Sequence, residues 1–197
     1  MHPDVCAFIS EIVYDSRLGS AEEARRRTTE AGTGVRFLPV EHEGNRIVSS
    51  EEVERVAAAV ASLTGVSFTA ADGTARPLGH EDFMVVAPYN AQVRALRKGL
   101  PEGARVGTVD KFQGQEAPVV FFSMATSSGE DVPRNLEFLF SRNRLNVAIS
   151  RAQCLAYLVC APRLLEARTR SIEQMKLVNA LCRLVEVAEE QSGSQPA

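Results

Sequence analysis

Residues 143–160 read NRLNVAISRAQCLAYLVC. The second half, Leu155 to Cys160, is a continuous apolar run. Strands buried on both faces look like that, and they belong to parallel sheets with helices on either side. The first half is a short apolar segment bounded by arginines. Arg144 and Arg151 lie seven residues apart, so on a helix of about 3.6 residues per turn they share one face and can meet one anionic ligand. A solvated face with local ion pairs has the same spacing.

Four more strand-like runs lie upstream: Val35 to Val40, Phe83 to Val86, Ala104 to Val106 and Val119 to Met124. Helical patterns separate them. One opens near Pro3 with Val5, Phe8, Ile9 and Ile12. A second follows Ser49 and Glu52, which have capping-box spacing, and carries Val53, Val56, Ala57, Val60 and Leu63. This alternation predicts an α/β fold, a mainly parallel sheet of about five or more strands with helices on both faces.

Two runs hand over to polar turns, where open α/β sheets place ligands. After Phe83–Val86 comes APYNAQVRAL, Ala87 to Leu96, with Val93, Leu96 and Leu100 facing inward and Tyr89, Asn90 and Gln92 near the start. After Ala104–Val106 comes GTVDKFQGQE, Gly107 to Glu116. Asp110 and Gln113 have capping-box spacing, so a helical turn is expected to start there and aim free backbone N–H groups outward. Thr108, just before it, can donate to a phosphate. The three polar segments are expected to converge on one edge of the sheet.

The order PYNAQ, GTVDKFQGQE, NRLNVAISRA resembles the second motor domain of superfamily 1 helicases. It is most similar to the branch containing the RNA helicase of nonsense-mediated decay and the flap-processing nuclease-helicases. The opening MHPDVCAFISEIVYDSRL, with Tyr14 and Leu18, resembles the same branch. ATSSGEDVPRNLEFLFSRNRLNVAISRA and APRLLE are similar to bacterial proteins in which a RecB-like nuclease precedes such a helicase. The resemblance runs from Met1 to about residue 188. It implies a RecA-like P-loop NTPase fold, ATP and Mg²⁺ bound mainly by a first motor domain, and single-stranded DNA or RNA as partner.

The resemblance also implies roles. Arg151 matches the arginine that reaches the γ-phosphate across the cleft, an arginine finger worth about 10³ to 10⁵ in rate. Glu116 matches a glutamate near the nucleotide ribose, Gly114 lets the backbone approach closely, and Arg144, on the same helix as Arg151, either orients ligands or forms an ion pair. Thr108 matches a position that touches the nucleic-acid backbone, with Gln113 and Gly107 framing its loop. Pro88, Tyr89 and Asn90 form the other strand-contacting corner, although family members often carry arginine where this chain has Asn90. The arginine that precedes Met-His-Pro in the family has no counterpart ahead of Met1.

Other requirements of an ATPase are missing from the string. Nowhere does it read G-x-x-x-x-G-K-S/T, and Gly107 and Gly114 have the wrong spacing and no following lysine. No apolar strand ends in an Asp-Glu pair for Mg²⁺. Glu22-Glu23, Glu51-Glu52 and Glu189-Glu190 read as solvated or first-turn carboxylates. The chain by itself is therefore expected to be inactive, one wall of a site in a larger protein.

Composition fits one motor domain over residues 1–190, followed by a flexible tail at 191–197. With 197 residues and 45% hydrophobic content, the chain can bury roughly 70% of its unfolded surface. No run approaches a membrane span and no leader opens the chain, so a cytoplasmic location is expected. A net charge of −3 is unlike a general nucleic-acid binder, which confines strand contact to patches such as Arg142–Arg151 or Arg25-Arg26-Arg27. Cys6, Cys154, Cys160 and Cys182 have no C-x-x-C spacing and read as buried thiols. His2, His42 and His80 show no ligand spacing either, so no bound metal is expected.

Three further expectations concern connections and a fourth the last helix. Residues 19–34 read as loop, and Asp72-Gly73 as the turn of an inserted hairpin limited by Pro77. Residues 125–141 form a long polar connection, unusual enough to point to function. A last helix starts at Ser171 with Gln174 in capping spacing and carries Met175 as core filling, with Val178, Leu181, Val185 and Ala188. Two rival readings stand beside the helicase. One is a catalytically inert RecA-like nucleic-acid or protein docking module. The other, a Rossmann-like small-molecule enzyme, lacks its G-x-G-x-x-G after a strand.

Overall fold

The continuous apolar runs become the middle of the sheet because only a position between two neighbours, under helices on both faces, removes every side chain from water. A computed structural model describes residues 1–133 and 136–193. In chain order the elements are helix α1 (Pro3–Val13), strands β1 (Thr28–Thr29) and β2 (Gly34–Pro39), helix α2 (Ser50–Leu63), strands β3 (Ser67–Thr69), β4 (Ala75–Pro77) and β5 (Phe83–Val86), helix α3 (Asn90–Gly99), strands β6 (Arg105–Gly107) and β7 (Ala117–Ser123), helices α4 (Leu136–Leu139) and α5 (Arg142–Ser150), strand β8 (Ala152–Cys160) and helix α6 (Ile172–Gly193). The main sheet is five-stranded and parallel, in the order β2-β8-β7-β5-β6. Every residue of β7 is buried.

Two apolar cores flank this sheet. One joins α1, α5 and α6 to Val35, Met84, Val120, Phe122 and Leu158. The other joins α2 and α3 to Val85, Phe121, Leu155 and Val159. Neighbouring residues of one strand thus serve opposite cores, as the two-residue period of a strand requires. The predicted α/β class, with its parallel sheet covered on both faces, is the fold. The inserted hairpin forms as expected, β3 antiparallel to β4 with β4 ending at Pro77.

Several expectations need correction. Residues 19–34 are not all loop: a 3₁₀ turn covers Glu22–Arg26, and β1 pairs antiparallel with β3. The turn after β6 starts at Val109, with Thr108 in the cap position and Gln113 closing it, so Asp110 does not begin it. Met175 is 52% exposed and fills no core. Helix α6 continues to Gly193, past the boundary expected at residue 190. Gln191 holds it there, accepting from the Val35 N–H at 2.8 Å and donating to the Asp4 carbonyl at 3.1 Å. Residues 194–197, the rest of the expected tail, lie outside the described residues.

The largest correction concerns Glu52. The Ser49 hydroxyl caps α2 by accepting from the Glu52 N–H at 3.1 Å, but the reciprocal half of the box is absent. The Ser49 N–H instead donates to Gln92 Oε1 at 2.9 Å. The Glu52 carboxylate, with no exposure to solvent, accepts from the Ser123 hydroxyl and from the Ala125 N–H at 3.0 Å, and meets His42 Nε2 at 3.0 Å. Gln92 Nε2 donates to the same Ser123 hydroxyl at 2.9 Å. Ala125, whose φ of 64° lies in the left-handed region, is thereby held in a conformation that costs a side-chain-bearing residue energy. The network ties the start of α2, the first turn of α3 and the exit of β7 into one polar knot inside the fold.

Removing a buried carboxylate leaves its donors without partners, at a cost of about 3 kcal/mol or more. Glu52→Ala should therefore lower the urea midpoint strongly, whereas Glu54→Ala, on the exposed side of α2, should stay within about 0.5 kcal/mol of the parent. Equal midpoints for the two variants would contradict the knot.

Candidate functional site

Helix α5 runs into strand β8 without a loop, and Arg151 is the residue between them, closing the helix with helical backbone angles. Ala117 and Ala152 are partners in the β7–β8 register, and the Arg151 carbonyl accepts from the Ala117 N–H at 2.9 Å. Glu116 precedes Ala117 just as Arg151 precedes Ala152, so one rung of the sheet draws together two residues that are 35 positions apart in the sequence. Both stand at the amino-terminal edge of the sheet.

The Arg151 guanidinium donates to the Val147 carbonyl at 3.2 Å, the Gln115 carbonyl at 3.4 Å and the Ser150 hydroxyl at 3.2 Å. Among the described residues no carboxylate pairs with it. All its direct acceptors are neutral, so no paired carboxylate has to be displaced before an incoming anion can meet it. It borders a cavity of about 500 Å³ whose lining includes Met1, Tyr14, Asp110, Gln113 and Ser150. Glu116 lies in an adjoining hollow that shares Met1. Its carboxylate meets Arg27 Nη1 at 3.3 Å and accepts from Gln153 Nε2 at 2.7 Å. Gly114 has φ of 79°, and a Cβ there would meet nothing within 4 Å, so backbone conformation alone demands glycine.

The other predicted residues stand elsewhere. Pro88, Tyr89 and Asn90 follow β5, and Thr108 follows β6, at the carboxyl-terminal edge. The Ala87 N–H donates to the Gly107 carbonyl at 3.1 Å and joins these two exits. Asn90 is exposed at the first turn of α3, Pro88 and Tyr89 are buried, and Thr108 is half-buried. The three polar segments therefore do not converge on one edge, because β6, β7 and β8 all point the same way and the chain must travel back along the sheet between them. The loop from Thr108 to Glu116 makes one such return and α5 makes the other. Both lie over the same face, where Val109, Phe112, Leu145, Ala148 and Ile149 share one core with Tyr89.

Arg144 and Arg151 do not act as a pair. The Arg144 guanidinium carbon lies 4.0 Å from the centre of the Phe138 ring, toward the opposite end of α5 from Arg151's cavity. Phe138 stacks in turn on Tyr89, with ring centres 5.8 Å apart and 29° between planes. The sequence reading passed over Phe138, although the apolar string LEFLF at 136–140 inside the polar connection was the available signal. Met1 and Arg27 were also passed over as neighbours of the two motifs. Gln92 lies fully buried in the Glu52 knot and faces no ligand.

Among the described residues no three His, Cys, Asp or Glu side chains come together in a group that could hold a metal ion. Burial pushes the Cys154 thiol up to about 12 and Cys160 well above the ordinary range, which keeps both protonated and unreactive at neutral pH. No helix among the described residues is long and apolar enough to cross a membrane.

Comparison with known proteins gives the family. The AAA domain family matches residues 1–163. DNA polymerase alpha-associated DNA helicase A of Schizosaccharomyces pombe is 32% identical over 168 residues, 77% of this chain and 25% of that one. Helicase sen1 of the same yeast is 31% identical over 176 residues, covering 78% and 10%. The 3'-5' exoribonuclease HELZ2 of Mus musculus is 31% identical over 185 residues, covering 78% and 6%. The chain thus spans a quarter or less of the length of these relatives.

The Arg27–Glu116 pair is half exposed on its acidic side, where such pairs contribute about 1 kcal/mol at most. Glu116→Gln should lower the unfolding free energy, read from urea denaturation, by no more than that amount; a larger loss would make Glu116 a structural residue.

Proposed function

The chain belongs to the AAA domain family, and from that premise we propose that it is the second motor domain of an ATP-driven superfamily 1 helicase. The observation that carries this reading is Arg151, a full positive charge held only by neutral acceptors on the rim of an open cavity. Such a group is suited to an anion that arrives from outside the domain. In this reading the triphosphate and its Mg²⁺ are bound chiefly by a first RecA-like motor domain of the same polypeptide. The absence of a phosphate-cradling lysine loop here supports that division.

Closure of the two domains brings the Arg151 guanidinium to the γ-phosphate. The arginine donates hydrogen bonds to oxygens whose charge grows as the bond to the leaving oxygen breaks. It supplies no nucleophile and takes no proton. Glu116, beside the Gln115 carbonyl that holds Arg151, faces the ribose side, and Gly114 keeps the intervening backbone free of a side chain. At the other edge, Thr108 and the Pro88–Asn90 corner touch the backbone of single-stranded DNA or RNA, whereas Gln113 lines the Arg151 cavity instead. The acidic balance of the whole chain confines that contact to a local grip. Each cycle of closure and release then advances the strand. The finer placement, in the nonsense-mediated-decay and flap-processing branch with a RecB-like nuclease upstream, is part of the same proposal and rests on MHPDVCAFISEIVYDSRL and ATSSGEDVPRNLEFLF.

In the full-length protein, Arg151→Ala should reduce ATP turnover by about 10³-fold or more while single-strand affinity, read by fluorescence anisotropy, is largely kept. Turnover at the parent rate would overturn the assignment.

A further inference from the structure

We propose that Phe138 is a positioning residue that couples strand engagement at the Pro88–Asn90 corner to the direction of the Arg151 guanidinium. This rests on the helicase reading above and names how its two edges communicate.

The contacts form an unbroken series. The ring of Tyr89, at the corner, lies against the ring of Phe138. Phe138 belongs to α4, and its ring also carries the Arg144 guanidinium. Among the described residues no carboxylate pairs with Arg144, so the aromatic face is its main anchor, a favourable placement for a cation. Arg144 stands in the first turn of α5, whose cap is Ser141, and Arg151 closes the same helix about 10 Å further along the axis. The segment RNRLNVAIS contains neither proline nor glycine, the usual causes of a kink, so α5 moves as one piece.

The far end of that helix works as a pivot. The Arg151 backbone is fixed to β7 through the Ala117 N–H, but two of the three hydrogen bonds of its side chain, to the Val147 carbonyl and the Ser150 hydroxyl, follow the last turn of the helix, and only the longest, to the Gln115 carbonyl at 3.4 Å, does not. Tilting α5 about the fixed rung therefore re-aims the guanidinium without disturbing the sheet. A strand that displaces Tyr89 transmits the displacement through the Phe138 ring to Arg144, the free end of the lever. The strand shifts the balance between the two tilts only by its different affinity for them. Arg144 on this account is no nucleotide ligand.

The test uses the full-length protein, with ATP turnover measured without and with oligothymidylate or oligouridylate. Phe138→Leu keeps the apolar bulk and removes the ring; Arg144→Gln, on the half-exposed helix surface, removes the cation with little risk to folding. Both variants should keep basal turnover and strand affinity within about threefold of the parent yet lose at least about fivefold in strand stimulation, the low end of ordinary coupling between sites. Full stimulation in Arg144→Gln, or in a folded Phe138→Leu, overturns the coupling and leaves the helicase reading standing. A proportional fall in basal and stimulated rates also overturns it, because that is what a merely structural role produces. A parent rate that neither oligonucleotide raises counts against the helicase reading itself.

Discussion

The pairing of Ala117 with Ala152, where the two central strands β7 and β8 begin, sets the position of the Arg151 side of the site. A parallel register between two strands buried on both faces cannot slip by one residue without turning each apolar side chain toward the wrong core. An irregularity between Ala117 and Val119 offsets the first rung from that register, so Glu116 and Arg151 are placed by the Ala117–Ala152 pairing itself. A flexible loop could bring an arginine and a glutamate together only at a large entropic cost. Here the sheet bears that cost as part of folding, and the cation is placed before any ligand arrives.

Charge follows the same division. Arg27, Arg76 and Arg183 all meet carboxylates, whereas Arg144 lies on a ring and Arg151 on carbonyls and a hydroxyl. Neutral acceptors orient a guanidinium without cancelling its field. The Glu52 knot does comparable work at the other edge. It fixes Gln92 beneath the Pro88–Asn90 corner through groups that never touch solvent, so that the exposed Asn90 sits on a rigid base.

What the sequence made legible follows from how locally each feature is encoded. Phe83–Val86, Val119–Met124 and Leu155–Cys160 announce buried strands because each run satisfies both faces by itself. The pair Asp72-Gly73 announces its hairpin for a similar reason, since glycine there takes φ of 88°. Thr28–Thr29 gave no such sign, being two polar residues whose strand exists only because β3 offers an edge. Glu52 was misread because a carboxylate in a first turn is ordinarily solvated, and its partners Ser123 and Ala125 lie more than 70 positions away. Met175 fits the helical period of α6, yet that turn lies beyond the core it was assigned to. For the site, the motif strings identified Arg151, Glu116 and the Pro88–Asn90 corner as candidates, but their division between opposite edges depends on strand direction, which no single string contains.

The most direct measurement is a structure of the full-length protein with single-stranded nucleic acid, ADP and aluminium fluoride, which imitates the phosphoryl group in transit. The account predicts that the Arg151 guanidinium turns from the Gln115 carbonyl, where it lies at 3.4 Å, and donates directly to the fluoride. A guanidinium still resting on Val147 and Gln115, with the fluoride held by other groups alone, would contradict it.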